Sequence, residues 1–144
     1  MRAVIAAIIA LAGSIACGNA GDLTNSPPPP ISGSYTLETY DGMAIPANVS
    51  PTFVVDTGYA RLWPVGNYEI YARAFSHGSP LNWIRDNGEW AATDRTLRLQ
   101  GVAGTVSVTV SGDGRFAVDE LVGTTHRLVF RRVGEATALS TRAP

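Results

Sequence analysis

Side chains able to do chemistry are few in this chain. It has one cysteine, Cys17, two histidines, His77 and His126, and twelve acidic residues against eleven basic ones, every one of the latter an arginine. With no lysine there is no Schiff-base chemistry on a side chain. No serine sits in a glycine-x-serine-x-glycine elbow, and no phosphate loop or helical-turn pair of histidines occurs. His77 falls in a glycine- and proline-bearing turn and His126 opens the last apolar run, so the two are not expected to build a metal site. Asp113, between Gly112 and Gly114, lacks the spaced carboxylates of a calcium loop and reads as a hairpin turn. Asp119 and Glu120 are neighbours, and neighbours on a strand point to opposite faces, so they cannot form an acid–base pair. With Asp94 they read as solvated carboxylates. These residues predict no enzyme, no metal and no cofactor. The balanced charge also argues against a nucleic-acid partner, which calls for a basic face.

Cys17 is the exception, because of what precedes it. Met1-Arg2, an uncharged apolar stretch from Ala3 to Ala12, and Gly13-Ser14-Ile15-Ala16 make a charged n-region, a short h-region and a small-residue cleavage zone. The h-region is too short to span a hydrocarbon core of about 30 Å as a helix. Ile15-Ala16-Cys17 resembles the lipobox of bacterial lipoproteins, with Ser14 standing where an aliphatic residue is usual. Ordinary cleavage after Ala16 or Ala20 is the alternative. A lone thiol in an oxidising compartment has no internal disulfide to make, and this favours acylation of Cys17.

The chain then divides into a signal peptide (1–16), a lipidated Cys17 with a Pro-rich tether (17–30), a folded domain (31–133) and a disordered tail (134–144). Pro27 to Pro30 favour polyproline II and act as a stiff spacer. The lipobox resemblance implies a membrane partner reached through a lipid anchor. With Gly18 following the cysteine, it implies the outer membrane of a bacterial envelope, facing the periplasm.

From Ser34 onward the apolar pattern has period two. Val106, Val108 and Val110 alternate with hydroxyl residues. Tyr68, Ile70, Ala72 and Ala74 alternate with Glu69, Tyr71, Arg73 and Phe75, and Leu128 with Phe130 repeats the pattern near the end. Asp41-Gly42, Asp56-Thr57-Gly58, His77-Gly78-Ser79-Pro80, Asp86-Asn87-Gly88 and Ser111-Gly112-Asp113-Gly114 read as turns between strands. No run of ten residues carries a helical stripe. The expected fold is all-β, a sandwich or a barrel. Sequential hairpins favour a single up-and-down antiparallel β-barrel of eight to ten short strands.

Three segments carry a family resemblance. Gly33-Ser34-Tyr35-Thr36-Leu37 with Asp41-Gly42 and Ile45-Pro46, then Asn87-Gly88-Glu89-Trp90 with Leu97-Arg98-Leu99, then Thr125 to Arg132 are similar to the opening strand, middle hairpin and last strand of small bacterial lipocalin-like (calycin-like) lipoproteins. The resemblance implies a lipocalin-like barrel.

Aromatic residues crowd the middle of the domain: Trp63, Tyr68, Tyr71, Trp83 and Trp90, with Tyr59 and Phe75. Aromatic walls with a few polar groups line sites for small apolar ligands, and Trp63, Tyr68, Tyr71, Trp83 and Trp90 are the candidate ligand-binding set. A domain of about a hundred residues also needs such rings simply to fill its core. Two functions therefore stand. One is an anchored barrel that binds a small apolar or amphipathic molecule. The other is a structural or interaction module with a filled barrel that contacts an envelope protein.

Overall fold

The computed structural model describes residues 30–135, except 103, 120 and 122–124. The expected signal peptide, Cys17, most of the tether, Glu120, and the tail beyond residue 135 lie outside the described residues.

The domain is all-β. Its strands are β1 (Gly33–Tyr40), β2 (Met43–Ala44), β3 (Ala47–Ser50), β4 (Phe53–Leu62), β5 (Asn67–Ser76), β6 (Ser79–Thr93), β7 (Thr96–Gly101), β8 (Gly104–Thr109), β9 (Arg115–Val118) and β10 (Leu128–Gly134). Eight of them form one antiparallel sheet in the order β8-β7-β6-β5-β4-β1-β10-β9, while β2 and β3 are short additions to β1 and β4. The sheet curls until β8 and β9 adjoin, with no ladder joining those two strands. The result is a nearly closed up-and-down barrel of eight main strands. β1 lies in the middle of the sheet, bonded to β10 on one edge and β4 on the other.

Alternation places the core. On β5 the buried residues are Tyr68, Ile70, Ala72 and Ala74, and on β10 they are Leu128 and Phe130, as the period-two pattern requires. Rings occupy the interior in contact with one another. Tyr35 meets Phe116 edge-on at 4.9 Å between centroids, and Phe116 stacks on Phe130 at 5.3 Å. Ala60, Ala72 and Ala74 supply small side chains among these large ones. Alternation of large and small side chains is the usual way a small barrel packs its tapering interior. Each fully buried Phe or Leu contributes about 1.5–3 kcal/mol of apolar transfer.

Two expected turns are strand interior. Asp56-Thr57-Gly58 runs through β4 and Asp86-Asn87-Gly88 through β6, a continuous strand of 15 residues. Neither glycine has a positive φ. Gly58 is required by close approach instead, since a Cβ there would lie 2.8 Å from both a methyl of Leu37 and the Tyr71 carbonyl oxygen. Turns do fall at Asp41-Gly42 and His77-Gly78, all four residues with positive φ, and another falls at Asp94-Arg95, where Asp94 has φ 53°. On the outer face Arg73 pairs with Asp56 at 2.5 Å and lies over the Phe75 ring, while Arg85 stands 3.9 Å from Glu69.

Candidate functional site

Polar groups gather at the end of the barrel where β1 finishes and β10 begins, called here the far rim. The Asp41-Gly42 turn swings the chain back, and Asp41 docks on the start of β10 in both directions. Its N–H donates to the Arg127 carbonyl, and its Oδ1 accepts the Arg127 N–H, each at 2.8 Å. That leaves Oδ2 facing His126, whose Nδ1 lies 2.7 Å away. The imidazole rests on the Tyr40 ring at 4.9 Å, with Trp83 at 6.2 Å. Trp83 donates its Nε1–H to the buried Tyr40 hydroxyl at 3.1 Å and meets the Phe53 ring edge-on at 4.9 Å.

Burial pushes the Asp41 carboxyl up, but the Arg127 N–H and the His126 ring outweigh it and hold the group below the usual carboxylate range. Burial raises the Tyr40 hydroxyl, opposed in part by the Trp83 N–H. A carboxylate on Nδ1 fixes the orientation of an imidazole and leaves Nε2 free to exchange a proton or accept a hydrogen bond. Among the described residues, the partners of His126 are Asp41, Tyr40 and Trp83. No nucleophile adjoins it there to complete a catalytic triad.

A second polar group closes the opposite end, called the near end, where β4 turns into β5. The Tyr68 hydroxyl donates to Asp86 Oδ2 at 2.6 Å, and the Val102 N–H donates to Oδ1 at 3.1 Å. Asp86 is only 2% exposed. Burial raises the Tyr68 hydroxyl strongly, and the neighbouring Asp86 carboxylate raises it further. Gly101 makes room for the pair, since a Cβ there would lie 2.1 Å from the Tyr68 oxygen.

The five aromatic residues expected to line a ligand site are dispersed. Trp63 and Trp90 are joined at the near end by a 2.9 Å bond from Trp90 Nε1–H to the Trp63 carbonyl. Tyr68 lies inside the barrel beneath them, and Trp83 sits at the far rim. Tyr71 is on the outer face, against Tyr59 at 5.2 Å and donating to Asn82 at 2.8 Å. Tyr68 and Tyr71 therefore do not share a wall. Of the depressions on the described surface, one passes over Trp63, Asn67, Glu69 and Asn87 and another over the Gly112–Gly114 turn and Val133; both open to solvent.

The rim group of Tyr40, Asp41 and His126 was not visible in the sequence as a unit. Asp41 carried only a turn signal and His126 only a strand-start signal, and they are 85 residues apart. Comparison of the chain with protein-family models, with curated proteins and with solved structures finds no match.

Proposed function

We propose that this chain is a lipocalin-like lipoprotein of a bacterial envelope, tethered to the outer membrane through a lipid on Cys17, and that it works by contact rather than by enclosing a ligand. In this reading it is an interaction module without catalytic activity, and its partner is an envelope protein that meets the far rim. One observation supports the reading: the rings of Tyr35, Phe116 and Phe130 are buried and pack against one another inside the barrel. The rim supports it with half-exposed polar groups, Asp41 and His126, set among the aromatic residues Trp83 and Phe53. Aromatic side chains ringed by satisfied polar groups are the usual composition of interface anchors.

Titration of the full chain with fatty acids and an apolar dye, read by tryptophan fluorescence, is expected to give no saturable response. Saturable binding would restore the alternative of a small apolar ligand, and the half-buried Phe53–Trp83 pair is where it would lodge. Intact-mass measurement of the mature chain tests the anchor separately. A chain beginning at Cys17 with a diacylglyceryl mass is expected, and an unmodified one would overturn the anchor.

A further inference from the structure

We infer that the near end of the barrel rests on the headgroup layer of a phospholipid membrane, with Trp63, Val65 and Val133 as its apolar contacts and Arg132 facing a lipid phosphate. This builds on the anchor proposed above. The first support is where the chain joins the fold. Ile31 packs against the core and its carbonyl accepts the Tyr35 hydroxyl, so the tether reaches the barrel at the start of β1. Gly33 there pairs with Leu62, the residue before Trp63, and Ser34 pairs with Gly134, the residue after Val133. The tether, the β4–β5 turn and the end of β10 thus share one end of the molecule.

The second support is what that end exposes. The turn from Trp63 to Gly66 is held rigid by bonds from Trp63 N–H to the Asn67 carbonyl and from Gly66 N–H to the Trp63 carbonyl, at 2.9 and 3.0 Å. At its tip Val65 is 84% exposed, and Val133 is 61% exposed. A fixed turn presenting valine beside tryptophan suits the membrane interface, where an indole keeps one face apolar and its N–H polar.

Arg132 is the third support. Five other arginines, at 73, 85, 115, 127 and 131, each lie within ion-pair distance of a carboxylate, whereas among the described residues Arg61, Arg95 and Arg98 share with Arg132 the lack of one. Among the described residues no carboxylate pairs Arg132; its Nη2 donates to the Ser32 carbonyl, its guanidinium lies beside the Tyr35 hydroxyl, and its Nε has no partner. Asp113, in the turn that packs beside it, is engaged by Arg115 and Ser111. A guanidinium without an acid of its own is suited to a phosphate. The tether holds this end at high local concentration over the lipid, so a weak contact is enough to be populated.

The tryptophans serve as native probes, because Trp63 and Trp90 lie at the near end and Trp83 at the far rim. The chain of residues 17–144 is coupled through Cys17 to a maleimide lipid in nanodiscs with brominated or unbrominated acyl chains. Coupling supplies the tether whether or not a cell acylates Cys17, so a failure here counts against the contact, and the intact-mass measurement alone counts against the anchor. Emission of Trp83→Phe should fall in brominated lipid, and emission of Trp63→Phe/Trp90→Phe should not. Adding Val65→Asp and Val133→Asp to the Trp83→Phe chain should remove the quenching, a comparison that holds even if the double tryptophan variant fails to fold. No quenching of Trp83→Phe, equal quenching of both chains, or quenching unchanged by the aspartates would overturn the inference.

Discussion

At each end of the barrel a buried tyrosine hydroxyl is tied to a partner on β6, yet the two ends are built for different surroundings. At the near end Tyr68 donates to Asp86, a carboxylate sealed from solvent and further held by the Val102 N–H. At the far rim Tyr40 accepts from Trp83, and the carboxylate next to it, Asp41, shares its charge with a half-exposed imidazole. An unpaired polar group costs free energy in proportion to how little water can reach it. The near end is therefore fixed, while the far rim can exchange partners and protons without endangering the fold.

The largest test of that contrast is Asp86→Ala, which leaves the Tyr68 hydroxyl and the Val102 N–H without an acceptor. A loss of about 3 kcal/mol is expected in urea unfolding, from one to three for each stranded group. A loss under about 1 kcal/mol would mean that water reaches the site and that the two ends do not differ. Trp83→Phe removes one donor at the rim and keeps the ring, so a loss of about 1 kcal/mol is expected from the same measurement.

Asp41→Asn should cost less again, under about 1 kcal/mol, because its contact with His126 is half-exposed and screened by solvent. Its signature is in pH. The folded Asp41 carboxyl lies below its ordinary value, so its contribution is complete above the unfolded value of about 3.9 and is lost as pH falls through the lower folded one. The wild-type chain should lose more stability than Asp41→Asn between roughly pH 5 and 2, and parallel acid curves would remove Asp41 from the account. Val65→Asp should change stability least, within about 0.5 kcal/mol, since the side chain touches little. A large effect there would show that the turn is not a free surface.

Much of the barrel was legible because a half-buried strand writes its two faces into the sequence. β5, β8 and β10 were read with the right faces, Tyr68 and Ile70, Val106 and Val108, and Leu128 and Phe130 inward. What misled was glycine preceded by aspartate. Asp41-Gly42 is a turn because the backbone there needs positive φ, whereas Gly58 and Gly88 are strand residues where neighbouring chains come too close for a side chain. The letters are alike and the cause lies in residues far along the chain. Asp86 was hidden for the same reason. Read as a turn residue it belongs in water, and only the register that sets Gly88 against Tyr68 and Gly101 turns it inward. The rim dyad needed the closure of β1 on β10, which no local pattern encodes.

The position of β1 has a mechanical consequence. The chain enters the barrel through the strand that is bonded along both edges, to β4 and to β10. Tension applied at Ile31 along the strand pulls against two ladders whose bonds lie across the direction of force, so they resist in shear and share the load. Had the chain entered through an edge strand such as β9, which is bonded on one side only, the same tension could open its bonds one by one. If the proposed anchor and partner pull on the domain from opposite ends, the load therefore falls on a strand held along both edges.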